Sequence, residues 1–403
     1  EPVTLDDQPD LVVIQAYITS ARRTYRLADH YRRRGARVCL GGLHVTSLPQ
    51  EAARHADTIF LGPGEDTWPA FLRDFRTGEA RRVYRSRVRT LAGAPAPRRD
   101  LINRRLYLVP NSIVVSRGCP HHCDFCYKDA FYKGGRSFYT RNIDEALAEI
   151  DSLPGRHLYF LDDNLLASPS FAEGLMDGMR GMGRLWQAAG NVQSVLKHPR
   201  LIEKAAACGL RSLFVGFESL SEDNLRAVGK SHNLGMDYGR AIRRLHDLSV
   251  MVNGSFVFGL DVDESEVFGQ TVDWAVSSGI ETATFHILTP YPGTRLYDRL
   301  VRQGRILTQN WDLYDTRHAV FRPARMCPEE LEGGYWRAYK NFYSWGALFR
   351  AAGTKPSLLD RLRHLAYTGA WKKLEALWNL AVRAGAVSKA VPALPEATGL
   401  ADR

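Results

Sequence analysis

The feature that most limits what this chain can become is a strand-helix alternation that runs twice, broken once by a stretch of different composition. In the first series the apolar runs 11–14, 37–40 and 58–61 read as strands, with helices predicted over 21–34 and 66–75. In the second, strands are predicted at 113–115, 157–161, 185–189, 213–217, 250–258 and 282–288. Helical segments follow at 143–152, 171–182, 199–208, 236–248, 267–278 and 294–303. Alternation of this kind makes parallel sheets, whose ligands lie at the carboxyl ends of the strands. The expected fold is therefore α/β: a Rossmann-like doubly wound domain over 1–80, a linker over 81–110, an open partial (βα)6 barrel over 111–303 and a mainly helical region over 304–403. Six units fall short of a closed eight-fold barrel, but chemistry is expected at the same end.

The break carries Arg81, Arg82, Arg85, Arg87 and Arg89, then Pro95, Pro97, Arg98 and Arg99. A net charge of +10 raises a nucleic-acid reading, supported by Arg22, Arg23, Arg26, Arg32, Arg33, Arg34 and Arg37. These cluster on one helix and its end without interleaved aromatics, so a solvated helix face is the preferred reading and no nucleic-acid partner is expected. No apolar run is long enough to span a bilayer, and no signal peptide is visible after Glu1. Three cysteines, Cys39, Cys208 and Cys327, are scattered, which argues against a disulfide framework and for a reducing, cytoplasmic setting. Beyond the barrel, 310–318 is aromatic and polar, 328–348 an aromatic-rich helix, and 358–382 basic and amphipathic with Trp371 and Trp378. Packing against the barrel is preferred for that last stretch; peripheral membrane contact is the alternative. The tail 391–403 is expected to be disordered.

The other three cysteines sit on one short loop, Ser116-Arg117-Gly118-Cys119-Pro120-His121-His122-Cys123-Asp124-Phe125-Cys126-Tyr127. Spaced C-x3-C-x2-C, their sulfurs can hold an iron-sulfur cluster. Three thiolates on a four-iron cluster leave one iron open to a small molecule. A zinc site would want a second ligand pair at the usual spacing, and none follows; His121 and His122 read as loop residues. Walker-type phosphate loops and G-x-S-x-G elbows are absent, which removes two common chemistries.

Polar residues interrupt the apolar runs at the strand ends. These are Asp162-Asp163-Asn164, Asn191 with Gln193, Gly216-Phe217-Glu218-Ser219, Asn253 with Ser255, and Thr289-Pro290-Tyr291-Pro292-Gly293. His286, within the last strand, reads equally well as a core histidine. In the first domain the ends carry Gln15-Ala16-Tyr17, Gly41-Gly42-Leu43-His44 and Gly62-Pro63-Gly64-Glu65, where glycines let backbone approach a flat ligand.

The cysteine spacing with Tyr127 behind it resembles the radical S-adenosylmethionine (SAM) superfamily, and the domain order resembles its class with an N-terminal cobalamin-binding-type domain. The resemblance implies that Cys119, Cys123 and Cys126 hold a [4Fe-4S] cluster. It further implies that Tyr127, Arg136, Asp162, Asp163, Asn191, Gln193, Glu218 and Lys230 contact SAM. Gln15, Tyr17, Gly41, Gly42, His44, Gly62, Gly64 and Glu65 would face cobalamin. The implied activity is C-methylation of an unactivated carbon of a small-molecule natural product or lipid, with electrons from a flavodoxin or ferredoxin. Radical rearrangement, cyclisation or oxidation is the enzymatic alternative. A non-catalytic corrinoid or iron-sulfur protein is the alternative from another class.

Overall fold

The computed structural model describes residues 5–102 and 111–383. The tail expected to be disordered, 391–403, lies outside the described residues, as do the side chains of Trp371 and Trp378.

In the first domain β1 (Leu11–Gln15), β2 (Arg37–Gly41) and β3 (Thr58–Leu61) pair in parallel, Val13 opposite Cys39 and Cys39 opposite Thr58. The crossovers are α1 (Ala21–Arg33), the short α2 (Leu43–Ser47) and α3 (Pro49–Ala52), and α4 (Thr67–Arg76). Helix α1 buries Ala21, Thr24, Tyr25, Ala28 and Tyr31, a helical spacing that leaves its arginines outward. Arg32 there pairs with Asp57 at 3.1 Å, and Arg37, at the start of β2, donates to the Ala80 carbonyl at 2.9 Å. A fourth strand, β4 (Val83–Arg85), pairs with β3 although its sequence reads as linker. Between its exposed neighbours only Tyr84 turns inward, where it stacks on Phe60. The order β1-β2-β3-β4 is that of one wing of a doubly wound sheet.

The second domain opens with β5 (Ser112–Ile113), two residues rather than three. The chain then leaves the main sheet as β6 (Ser116–Gly118) and, after α5 (Lys128–Phe131), returns antiparallel as β7 (Phe138–Thr140). The remaining units are α6 (Ile143–Ser152), β8 (His157–Phe160), α7 (Pro169–Met179), β9 (Leu185–Gly190), α8 (Val192–Lys197), α9 (Pro199–Ala207) and β10 (Leu210–Glu218). After α10 (Glu222–Ala227) and α11 (Tyr238–Asp247) come β11 (Met251–Phe258), α12 (Val267–Ser277), β12 (Thr282–Ile287) and α13 (Arg295–Arg302). Six parallel strands in the order β12-β11-β10-β9-β8-β5 form the open barrel. One apolar core fills the space between this sheet and its helices, with Phe217, Phe256, Phe258 and Phe285 stacked along it.

An open barrel leaves an edge strand with unpaired backbone groups. Here β12 and β5 are the two edges, and α14 (Pro328–Phe342) covers β12. The Tyr343 hydroxyl bridges Ala283 N and O at 3.2 and 3.0 Å, and the Tyr339 hydroxyl bridges Phe285 N and O at 3.2 and 3.4 Å. Two residues of strand and four of helix advance about equally, roughly 6–7 Å, so the two registers match. One step on, Ile287 N donates to the Thr316 carbonyl at 2.8 Å. The segment between α13 and α14 also reaches the first domain, where Trp311, Tyr314 and Val320 join the core of α1, β2 and β3. Helices α15 (Trp345–Gly353) and α16 (Leu358–Arg383) complete the C-terminal region. Lys355 between them donates to the Gly279 carbonyl at 2.8 Å and pairs with Glu281 at the foot of β12. Among the described residues no helix is long and apolar enough to cross a membrane.

Candidate active site

The cysteine loop is closed at its base by the β6–β7 ladder, with Cys119 N donating to the Ser137 carbonyl at 2.9 Å. Gly118 there has φ 78°, and a Cβ on it would overlap the Ser137 carbonyl, so the crossing admits only glycine. Cys126 N turns back to the Cys123 carbonyl at 3.1 Å, and α5 starts immediately after Tyr127. Opposite, Asp124 accepts from Arg295 at 2.8 Å and from Arg299 at 2.9 Å, which ties the loop to α13. The segment is pinned at both ends.

Its three thiols are free, with Cys123 buried and the others half-buried. Burial pushes the Cys123 thiol up to about 11, while Lys230 pulls it down. Burial also pushes Cys126 up to about 12. Thiols in this state become thiolates only against added positive charge, which iron supplies. Among the described residues no three His, Cys, Asp or Glu side chains converge as ligands of a single ion would. A cuboidal cluster takes one thiolate per iron and needs them spread apart. Three free thiols on one pinned loop are the donor set that a four-iron cluster with one open iron takes.

The two aspartates that follow β8 have different employments. Asp162 is buried and turned away from any ligand: its carboxylate accepts from Val115 N at 3.2 Å, from the Ser116 hydroxyl at 2.5 Å and from Ser116 N. Burial raises its pKa to about 7 against those hydrogen bonds. Expected at SAM, it instead holds the loop's entry strand, buried where the neighbouring Asp163 is exposed. Asp163 is exposed; it accepts from Gly118 N at 2.9 Å and from the Tyr127 hydroxyl at 2.8 Å. An open carboxylate beside the loop suits an ammonium group. Asn164, passed over as a site residue, is buried with its Nδ2 3.7 Å from Cys119 Sγ.

Glu218 ends β10 at a bulge with φ 64°, and its carboxylate meets Lys230 Nζ at 2.6 Å. Burial works against the Lys230 charge, but Glu218 and then Cys123 hold its pKa above the ordinary value. Gly216 makes room for the pair, since a Cβ there would lie 2.5 Å from Glu218 Oε1. Asn191 caps α8 through Ser194 N at 2.8 Å and places Nδ2 3.2 Å from His121 Nε2. His121 stacks on His232 at 3.7 Å. Burial lowers His232 to about 3, so both this ring and its neighbour are neutral packing partners of the loop. His232 carries no signal in the sequence; only the fold brings it to His121. Gln193 is half-buried in α8, and Arg136 is exposed before β7. Arg141, just after β7, pairs with Glu149.

The carboxyl ends of β1, β2 and β3 face this loop. Gly42 has φ 102°, and a Cβ on it would sit 2.9 Å from the Ala16 carbonyl. A Cβ on Gly62 would lie 3.5 Å from the Phe131 carbonyl of α5, and one on Gly293 would touch both Ala130 and Ser47. Glu65 pairs with Arg117 of β6 at 2.5 Å, joining the two domains rather than standing free for a ligand. Gln15 and Tyr17 are exposed at the same edge. His44 is not available to a corrin: its ring is buried, with Nε2 3.1 Å from Glu51 Oε1 and Trp311 5.7 Å away edge-on. The reason is local, since α2 begins at Leu43 and rotates His44 inward. What remains, half-buried Gly41, Gly42 and Gly62 and exposed Gly64 beside exposed Gln15 and Tyr17, is a strand-end lining that can take a flat macrocycle without a histidine.

Comparison with known proteins agrees with this division. The description "B12 binding domain" matches residues 4–72, "Radical SAM superfamily" matches 113–275, and "Domain of unknown function (DUF4070)" matches 294–391. The bacteriochlorophyllide d C-12(1)-methyltransferase of Chlorobaculum tepidum is 30% identical over 86% of this chain and 77% of its own length. The C-8(2)-methyltransferase of the same organism is 27% identical over 86% of this chain and 80% of its own. In fold, the chain is similar to the radical SAM methyltransferase TsrM from Kitasatospora setae, with a TM-score of 0.62 and 16% identity over 94% of this chain and 89% of that one. The chain belongs to the cobalamin-binding branch of the radical SAM superfamily, together with its methyltransferase relatives, and is an enzyme working with a [4Fe-4S] cluster, SAM and cobalamin.

Proposed function

We propose that the chain methylates an unactivated carbon of a cyclic tetrapyrrole. The observation that carries this reading is the similarity to two bacteriochlorophyllide methyltransferases over 86% of the chain, including the C-terminal segment that folds over the strand ends. The cofactors, when bound, supply a primary carbon radical from SAM and a methyl group from cobalamin. Everything else falls to this chain's own side chains. Cys119, Cys123 and Cys126 would hold the cluster, and Lys230 would offset its negative charge from the buried side. Asp163, oriented by Tyr127 and Gly118 N, would take the SAM ammonium. Glu218 would keep Lys230 charged and present its second oxygen to the cavity, with Asn191 and Gln193 lining the next strand end.

Gly41, Gly42, Gly62 and Gly64 would let the corrin lie against backbone, with Gln15 and Tyr17 at its rim. The division that goes with this reading is a cobalamin-binding-type domain over 1–80, a linker over 81–110 whose Val83–Arg85 adds a strand to the first sheet, the radical SAM barrel over 111–303 and a C-terminal region over 304–403. An acidic one-electron donor of the flavodoxin or ferredoxin type, and a cytoplasmic site of action, belong to the same reading.

The test is anaerobic incubation of the reconstituted full chain with SAM, a strong reductant, cobalamin and a panel of chlorins. A chlorin heavier by one methylene, formed with 5′-deoxyadenosine and S-adenosylhomocysteine, is expected. 5′-Deoxyadenosine with a rearranged or cyclised pigment and no added carbon would replace methyl transfer by the alternative radical outcome.

A further inference from the structure

On β12, Phe285 and Ile287 point into the core under the helices, and the residues between and before them, His286 and Thr284, face the concave side of the barrel. Strand register sets Gly216, Ser255 and Thr284 in one row across β10, β11 and β12, with the Glu218–Lys230 pair lying over Gly216. His286 stands one step nearer the carboxyl ends, opposite Val257.

Its ring is oriented from outside the strand. Nδ1 lies 3.2 Å from Thr316 Oγ1. Thr316 is itself held by its carbonyl accepting from Ile287 N at 2.8 Å, in a left-handed conformation with φ 65° that a β-branched residue rarely adopts. Nε2 makes no hydrogen bond among the described residues, and the side chain is half-buried. Burial lowers the pKa of the imidazole although Glu218 across the cavity raises it, so the ring is neutral at physiological pH. One nitrogen fixed by a hydrogen bond and the other free, on a neutral ring, is the arrangement of a metal-ligating histidine.

We infer that His286 is the axial ligand to the central magnesium of a metallated tetrapyrrole held in the barrel's concave side, with Thr316 positioning the ring. The inference rests on the tetrapyrrole reading above and adds that the metallated form is the one selected. No bond to carbon is made or broken by this group; it fixes the height and tilt of the macrocycle.

The experiment is a titration of the reconstituted full chain with magnesium chlorin and with the same chlorin lacking metal, read by tryptophan quenching and by magnetic circular dichroism of the pigment. The wild type should bind the magnesium form about tenfold or more tightly, with the spectrum of a five-coordinate imidazole complex. His286→Ala should bind both forms alike, at the affinity of the metal-free pigment, and added imidazole should restore the five-coordinate spectrum. Equal iron content and far-ultraviolet circular dichroism establish that the variant is folded. Thr316→Ala should keep the ligation signature with a reduced preference for magnesium. Equal binding of both pigments by the wild type, or an undiminished preference in His286→Ala, would overturn the inference while leaving the tetrapyrrole reading in place. Binding of neither pigment would sink that reading and the inference with it.

Discussion

Lys230 Nζ donates to Glu218 Oε1 at 2.6 Å, with both side chains nearly buried and the cysteine loop on the other side of the lysine. A buried pair of this kind is expensive to break from one end, because the survivor keeps its charge without a partner. Lys230→Met should therefore lower stability by about 3 kcal/mol and reduce the iron retained per chain. Combining it with Glu218→Gln should recover part of the stability but not the iron. Urea unfolding with iron analysis of the three proteins checks this; full iron in Lys230→Met would remove the lysine from the cluster's surroundings.

Asp162 offers a test between two employments. If it holds the loop's entry strand, Asp162→Asn sets an amide donor against the donors of Val115 and Ser116 and costs about 2 kcal/mol. Cluster content then falls before SAM binding is even measured. A variant with full cluster and weakened SAM binding would return Asp162 to the role the sequence suggested.

The same residue predicts a pH dependence. Its folded pKa, about 7, lies above that of an unfolded aspartate, so the folded chain binds the extra proton between about pH 4 and 7. The stability of the apo wild type relative to Asp162→Asn should fall as pH rises through that window and level off above it. A flat difference between the two proteins across the window would contradict the burial-driven shift.

Gly42→Ala places a Cβ 2.9 Å from the Ala16 carbonyl at a φ of 102°. The first domain should lose corrin per chain while the cysteine loop, on other strands, keeps its iron. Absorbance of corrin and cluster in the same preparation separates the two.

Trp311 is buried against His44, with its Nε1 3.2 Å from both oxygens of Glu51. Trp311→Ala should cost about 3–5 kcal/mol and expose the first domain to protease cleavage ahead of the barrel. Cleavage kinetics no faster than wild type would mean that the segment between α13 and α14 does not hold that domain.

The six barrel strands and the cysteine loop were legible because each rests on local signals, apolar period and ligand spacing. What the sequence hid was employment by distant partners. Asp162 and Asp163 are neighbours in the chain and both accept from the backbone around the cysteine loop, yet the first is buried there and the second stays exposed. His44 and Glu65 sit at strand ends as expected, but Glu51 and Arg117 take them. Tyr84 among arginines looked like linker and forms an edge strand, because one inward ring suffices there. His232 and Thr316 gave no sign of their partners, which come from 111 and 30 residues away.

The most direct test of the whole account is the 5′-deoxyadenosine formed when the reconstituted full chain is reduced with SAM, in the wild type and in Cys123→Ala. The account predicts steady formation in the wild type, and loss of both the product and the cluster's visible absorbance in the variant. Absence of 5′-deoxyadenosine from wild type carrying a full cluster, or an unchanged spectrum and yield in Cys123→Ala, would contradict it.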